Sequence, residues 1–463
     1  MQRGKNIHFE ISERKILLRV VDVLSILFFL FLASKIGDFD YITTILNSPL
    51  HLVVFVFYCL FFCTLFQMYN LQIASNQQQI IKEIIFSGFS IALFYIITPI
   101  ISPVLPNKRI QIFLFFAIII FALIAWRLVY LNFFTSVKFQ KNVIFVGEIN
   151  KALELVDELE KNDPHYKVQA IITPNHSVSE ISDSKLKNIK EHEARAFVNE
   201  NNISEIVIID KDKTTIQATF INSLLHAMEN GIVVREFNEV YESATYRLPI
   251  LNIDKQTFVF FPYGRSNTNQ LYLFGVRVFD ILFAAVGILG LCCLIPFIYI
   301  INLFVNKGPL FYKQERIGQF GIPFKVYKLR SMVVDAEKNG AQFAQKNDNR
   351  ITPFGKFIRK SRLDEIPQFI NVLKGEMSII GPRPERPIFV EQIAEIMPLY
   401  KTRHIVKPGL TGWAQVKFNY GATLHDSLIK LQYDLYYIKN RSLALDINIL
   451  IKTLNTVLFF KGQ

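Results

Sequence analysis

The feature that most constrains this chain is a series of apolar runs too long and too free of charge for a water-soluble core. Val20–Ile36, Leu50–Met68, Ile84–Val104 and Ile110–Trp126 follow one another, and the last three contain no Asp, Glu, Lys or Arg. Each comes close to the ~20 residues a helix needs to cross a bilayer. The first is weaker, with Asp22 near its start and Lys35 near its end. Arg3, Lys5, Arg14, Lys15 and Arg19 precede it, and Arg127, Lys138 and Lys141 follow the fourth. That bias places both flanks on the cytoplasmic side. Lys108 and Arg109, in what should be an outer loop, pull the other way, while an even number of crossings agrees with it. The expectation is a four-helix transmembrane bundle over residues 1–140, N-terminus inside. The opening MQRGKNIHFEISERK lacks the apolar core and small-residue site of a cleavable signal.

From residue 141 to 265 the pattern changes. KNVIFVGE reads as a buried strand ending in a glycine turn, and NKALELVDELEK as an amphipathic helix. VQAIIT, EIVIID and IVVREF are further β-type runs, with the helix-like FINSLLHAMENG before the last. Such alternation predicts a Rossmann-like parallel α/β domain. The first turn, Gly147-Glu148-Ile149-Asn150, has one glycine where a dinucleotide fingerprint has three, and Glu148 would repel a pyrophosphate. A structural or regulatory role is the better reading.

Residues 266–306 hold another apolar run, with 26 uncharged residues between Asp280 and Lys307. A fifth crossing would put everything after it outside. Pro296, near the middle, removes a backbone hydrogen bond and bends a helix. Arg277 and Asp280, one turn apart, suit a pair at the membrane interface. The expectation is a re-entrant helix-break-helix that enters and leaves by one face. The four cysteines, Cys59, Cys63, Cys292 and Cys293, all lie in apolar runs without metal-ligand spacing and read as buried, reduced residues.

Charge then singles out the remainder. Residues 1–305 hold 26 Lys+Arg against 26 Asp+Glu, and residues 306–463 hold 25 against 13, so the whole net charge of +12 lies at the C-terminal end. A basic domain beside a membrane points to anionic lipid headgroups or phosphorylated substrates. Residues 307–463 are also dense in Gly and Pro, as in a compact, irregular, mainly helical domain that bears a site. Within SRLDEIPQFINVLKGEMSIIGPRPERP, Pro367 fits only the first turn of a helix. That makes Asp364 its N-cap, Glu365 a first-turn residue and Gly375 its stop. Asp364 would then face the positive end of the helix, a place suited to phosphate. The plain alternative is a capped surface helix. Adjacent carboxylates repel, however, and a divalent cation relieves them. Arg383, locked between Pro382 and Pro384, is pre-organised to grip a phosphate, and Arg330, Arg350, Arg359 and Arg362 lie near it in sequence.

The segments YKQERIG, PFKVYKLRSM, NDNRITPFGKFIRKSRLDEIPQFINVLKGEMSIIGPRPE, VKPGLTGWAQV and LQYDLYYIKNRSLALDINIL together resemble the bacterial sugar transferase family, in its large monotopic polyprenyl-phosphate glycosyl-1-phosphate transferases. The resemblance runs from about Arg277 to Leu458. It implies transfer of a sugar 1-phosphate from UDP-glucose or UDP-galactose to undecaprenyl phosphate, releasing UMP, as the first membrane step of exopolysaccharide, capsule or O-antigen synthesis. It implies Asp364 as nucleophile, Glu365 as the Mg2+ holder, and Arg383, Arg359, Arg330, Arg316 and Asp434 as phosphate- or substrate-binding residues. For Thr411, Gly412, Trp413 and Gln415 it implies a wall of the active site, beside the plainer reading of a packed turn. Pro296 would be the membrane bend, with Arg277 and Asp280 its anchor; where familiar members have Ser-Pro, this chain has Ile295-Pro296. The implied setting is the bacterial inner membrane with the catalytic domain facing the cytoplasm. Its partners are the bilayer, the two substrates, other copies of the chain and other polysaccharide-assembly proteins, not nucleic acid. The whole is an α+β membrane protein.

Two rivals remain. A membrane-bound nucleotide-sugar dehydratase needs a Tyr-x-x-x-Lys pair, and none of the 18 tyrosines has Lys four residues on. A non-enzymatic membrane scaffold with a transferase-like domain would be expected to lose Asp364 or Glu365, and both are present.

Overall fold

The computed structural model describes residues 11–37, 39–98, 101–106, 108–134, 141–147, 156, 159–160, 166–172, 186–190, 193–209, 218–250, 264–306, 308–334, 336, 348–418 and 423–458. Glu148 and Asn150 of the first α/β turn, most of the helix expected after it, and residues 419–422 lie outside these. The chain forms two compact units, Met1–Tyr246 and Arg247–Gln463.

In the first unit the apolar runs are helices, of which Glu13–Ile36, Gln77–Ile97 and Arg109–Phe133 are long and apolar enough to cross a membrane. The expected second crossing differs. Pro49–Leu65 passes that test only together with Asp40–Asn47, from which it is bent by 98°. The third begins earlier than its apolar run, because the Asn76 side chain accepts from the Gln78 and Gln79 N–H groups and starts the helix there. Arg127, expected as a flanking charge, lies inside the helix Arg109–Phe134. It is buried and donates from Nη2 to Asp22 Oδ2 at 2.6 Å. A charge within an apolar bundle persists only when paired, so the helix with the acid and the helix with the base are held in register.

The rest of this unit is the predicted parallel sheet. Strands β1 (Lys141–Val146), β2 (Tyr166–Ile172), β3 (Lys187–Ile189), β4 (Glu205–Ile208) and β5 (Val233–Glu236) are ordered β3-β2-β1-β4-β5, all parallel. This is the doubly wound order. Its two faces carry separate cores, one around Val143, Phe145 and Val207, the other around Ile144, Val146 and Ile206. Gly147, at φ 143°, makes the turn after β1.

The second unit is built along one helix of 36 residues, Gln270–Val305, with Pro296 inside it. The expected break at Pro296 is therefore not an interruption of helical structure. Nor do Arg277 and Asp280 form the interfacial pair expected of them, since each reaches a different part of the unit. Arg277 donates from Nη1 and Nη2 to the carbonyls of Val372 and Leu373, both at 2.7 Å, and so satisfies the open C-terminal end of the helix Phe369–Lys374. Asp280 Oδ1 accepts from Ser378 Oγ at 3.0 Å and the Ile379 N–H at 2.8 Å, at the start of strand β8 (Ser378–Ile380). Cys59 and Cys63 are buried as expected, whereas Cys292 and Cys293 are exposed on the long helix. Strands β6 (Phe311–Ile317) and β7 (Pro323–Leu329) form an antiparallel hairpin, and β8 pairs in parallel with β9 (Gly409–Thr411).

Gly287 sets how closely the long helix meets Phe369–Lys374. A Cβ there would lie 2.3 Å from the Phe369 ring. Gly287→Leu is expected to destabilise this unit by about 1–3 kcal/mol, the usual cost of overpacking. Thermal unfolding of the detergent-solubilised protein measures it, and an unchanged midpoint would mean that the two helices are not tightly seated.

Candidate active site

Asp364 and Glu365 lie in a 3-10 turn, Leu363–Gln368, that runs into the helix Phe369–Lys374. Asp364 is not the N-cap. The flanking residue is Arg362, left-handed at φ 60°, and Asp364 is the second residue of the turn. Pro367 explains the tighter winding, having no N–H to bond back to Leu363. A non-glycine residue at this φ costs about 1–2 kcal/mol, and here it brings the Arg362 carbonyl within 3.2 Å of the Glu365 N–H that it accepts. Gly375 ends the helix as expected, at φ 83°.

Both carboxylates are buried. Glu365 Oε1 accepts from Arg383 Nη2 at 2.5 Å and Lys328 Nζ at 3.4 Å, and Arg362 Nη1 lies 3.7 Å from Oε2. Burial by itself would raise the Glu365 pKa, but Arg383, Lys328 and Arg362 outweigh it and hold the carboxyl well below the usual range. Asp364 moves the other way. Burial, then the Glu365 charge, raise it against Lys328, Arg359 and Arg383. Its Oδ1 is buried without a hydrogen-bond partner. Neighbouring acids pushed apart in this way suit different roles, one a fixed anion and one a reactive group. An uncompensated carboxylate oxygen near several cations is poised to take up an electrophile that carries negative charge of its own.

Arg383 reaches this pair from a segment fixed by glycine. A Cβ on Gly381 would sit 2.3 Å from the Lys407 carbonyl oxygen, so the backbones of β8 and the strand beside it meet without side chains between them. The Gly381 N–H donates to Thr411 O and the Gly409 N–H to Pro382 O, both at 2.9 Å. Trp413 is buried with its ring stacked on Tyr436, centroids 6.3 Å apart, and Gln415 Nε2 donates to Leu410 O at 3.3 Å. TGWAQV thus anchors a packed turn.

The other expected site residues divide. Arg359 donates from Nε to Ser331 Oγ at 2.8 Å and lies close enough to lower Asp364. Arg316 braces the Pro-Arg-Pro segment, donating from Nη1 to Pro384 O at 3.4 Å and Glu385 Oε2 at 3.3 Å. Arg330 serves another purpose. It is buried, and it donates to Pro309 O at 2.7 Å, Met332 O at 3.2 Å, Asn306 Oδ1 at 3.2 Å and the Asn306 carbonyl. Those donors tie the end of the long helix to β7, so the Arg330 guanidinium is engaged by the chain itself where a phosphate contact was expected. Asp434, buried, accepts from Arg403 Nη2 at 2.7 Å. Burial pushes its carboxyl up to about 6 against the pull of Arg403.

Lys328 and Arg403 were missed. Lys328 had a signal, because it stands two residues after the buried Val326 on the same face of β7. Arg403 had none, since Asp434 and the Arg383 carbonyl that it reaches are remote in sequence.

Residues 271–460 match the family described as bacterial sugar transferase. The chain is 43% identical over 227 residues to the UDP-N-acetylgalactosamine-undecaprenyl-phosphate N-acetylgalactosaminephosphotransferase of Aeromonas hydrophila, covering 49% of this chain and 52% of that protein. It is 51% identical over 141 residues to a Bacillus subtilis protein provisionally named an undecaprenyl-phosphate N-acetylgalactosaminyl 1-phosphate transferase, covering 30% of this chain and 77% of that one. Against the UDP-glucose:undecaprenyl-phosphate glucose-1-phosphate transferase of Xanthomonas campestris it is 39% identical over 214 residues, covering 46% and 43% respectively. The match therefore spans about half the length of the Aeromonas relative. With the long helix, the Asp-Glu turn and the Pro-Arg-Pro segment all inside the matched residues, this chain belongs to the bacterial sugar transferase family.

Proposed function

We propose that this protein transfers a sugar 1-phosphate from a UDP-sugar to undecaprenyl phosphate, releasing UMP, at the cytoplasmic face of a bacterial inner membrane. The observation that carries the reading is the buried, unpartnered Oδ1 of Asp364 beside a glutamate held ionised by Arg383, Lys328 and Arg362. In the first step Oδ1 forms a bond to the β-phosphorus, and the bond from that phosphorus to the bridging oxygen of UMP breaks. In the second, a phosphate oxygen of undecaprenyl phosphate attacks the same phosphorus and Asp364 leaves as carboxylate. Arg383, Lys328 and Arg359 steady the charge on the phosphoryl oxygens.

Mg2+ fits this donor set in one way only. Among the described residues no group of three or more His, Cys, Asp or Glu could hold a metal, and Glu365 is already paired with cations. Mg2+ is usually bound by one or two carboxylates together with substrate phosphates, so Glu365 would receive an ion that arrives with the nucleotide while Arg383 turns to the phosphate. The bound ion would supply charge neutralisation at the transferring group.

The same unit holds both ends of the long helix: Arg277 and Asp280 at its start, and Asn302 and Asn306 at its end, the latter pair donating to Gly308 O and Arg330 O at 3.0 Å. A polar unit cannot grip both ends of a helix that crosses ~30 Å of hydrocarbon. A re-entrant path, with the unbroken helix curving at Pro296 to enter and leave by the cytoplasmic face, would satisfy both. The exposed Leu443, Ile447 and Leu454 of the last helix suit contact with the same membrane surface. Reporters at the N-terminus and at Gln463 should both report cytoplasm, and an outside signal at Gln463 would make the helix a span.

Purified protein with Mg2+, undecaprenyl phosphate and a panel of UDP-sugars should release UMP with one of them. UDP-N-acetylgalactosamine belongs in the panel beside UDP-glucose and UDP-galactose, because the relative at 43% identity is named for it and the one at 51% for an N-acetylgalactosaminyl 1-phosphate. No UMP from any sugar would favour the scaffold reading.

A further inference from the structure

Arg383 meets Glu365 with one nitrogen, but its backbone is held by a separate, deeper assembly. Arg403, 5% exposed, donates from Nη2 to the Arg383 carbonyl at 2.9 Å and to Asp434 Oδ2 at 2.7 Å, and from Nη1 to the Tyr400 hydroxyl at 2.6 Å. Asp434 comes from the helix Leu424–Asn440, Tyr400 and Arg403 from the 3-10 segment Pro398–Ile405, and Arg383 from the link after β8. Pro382 and Pro384 limit the backbone on either side of Arg383, which leaves its carbonyl as the handle by which the segment can be turned.

We propose that Arg403, oriented by Asp434 and Tyr400, is a positioning residue that fixes the Arg383 backbone so that the Arg383 guanidinium faces the phosphate to be transferred. Asp434 does not touch the substrate. At 1% exposure, with a carboxylate oxygen on Arg403, it acts through that residue. On this proposal Asp434 positions Arg403 where a substrate contact was expected of it, and Arg403, to which the sequence assigned no role, gains one. It rests on the transferase reading above.

A residue that works only through Arg383 has no effect once Arg383 is gone. kcat/KM for UMP release is measured for the full-length protein and for Arg403→Gln, Arg403→Lys, Tyr400→Phe and Arg383→Gln, and for each of the first three combined with Arg383→Gln. Tyr400→Phe keeps shape and volume and is the variant least prone to misfold. It is expected to lower kcat/KM about 3-fold, Arg403→Lys about 10-fold and Arg403→Gln about 30-fold or more. In the Arg383→Gln background each of these losses should shrink to within about 2-fold. Full losses persisting in that background, for Tyr400→Phe in particular, would overturn the proposal and leave the transferase reading intact. A native protein that releases no UMP from any UDP-sugar would overturn both, so the two failures look different.

Discussion

Asp364→Asn is expected to abolish UMP release, with a fall on the order of 10⁴-fold or more, as when a covalent nucleophile is removed elsewhere. The variant should fold. Asn has the shape of Asp, and the carboxylate it replaces is buried with an unpartnered oxygen, so the thermal midpoint should stay within about 4 °C. With UDP-sugar and no lipid acceptor, the native protein should gain the mass of a sugar phosphate on the peptide that contains Asp364, and the variant should not. Unchanged turnover in Asp364→Asn would remove the nucleophile assignment and leave a direct transfer between substrates.

The same residue sets the acid limb of the rate. Asp364 is raised above the ordinary aspartate value by burial and by the charge of Glu365, so its reactive fraction keeps growing as pH rises through that raised pKa. Glu365 is held low and is ionised throughout. kcat/KM should climb as pH rises through that raised pKa and then level. The stability contribution has the opposite sign: with its folded pKa above its unfolded one, Asp364 favours the native state most below the unfolded value and loses that as pH rises through the folded one.

What could be read from the sequence was local, and what escaped it was remote. The parallel sheet follows from apolar runs that alternate with helical periodicity, and the Asp-Glu turn from Pro367 and Gly375 a few residues away. Neighbouring residues also betrayed Arg383, because its two prolines restrict it whatever the fold. Arg330 misled because closeness in sequence to a motif says nothing about direction: just after β7 its side chain meets the carbonyls of Asn306, Pro309 and Met332. Asp22 and Arg127 are 105 residues apart; read singly, the first weakens the case for a span and the second passes for a flanking charge. Arg403 likewise draws its meaning from Asp434, 31 residues on, and from a carbonyl 20 residues back. The winding at Asp364 lay between these cases. Pro367 announced a helix start, but the left-handed Arg362 that places the start two residues earlier leaves no mark in composition.

Glu365→Gln is expected to be costly for the fold as well as for the chemistry. The change leaves Arg383, Lys328 and Arg362 facing one another without the anion that all three approach. Breaking a fully buried ion pair by removing one partner costs ~3–5 kcal/mol. Here Arg383 is 37% exposed, so water takes up part of the loss and about 2–3 kcal/mol is the fitting figure. In a unit of this size that lowers the thermal midpoint by roughly 5–10 °C. Because the Glu365 pKa falls on folding, its contribution is present above the unfolded carboxylate value and is lost as pH drops through the folded one. The difference between native and variant should therefore close in strong acid. Adding Arg383→Gln to Glu365→Gln should restore part of the lost stability, since it removes one of the stranded cations, while activity stays at the level of the worse single variant. A midpoint unchanged in Glu365→Gln at neutral pH would mean that solvent screens the cluster. In that case Asp364 would no longer lie beside a strong fixed charge, and the separation of the two carboxylates into anion and nucleophile would lose its physical cause.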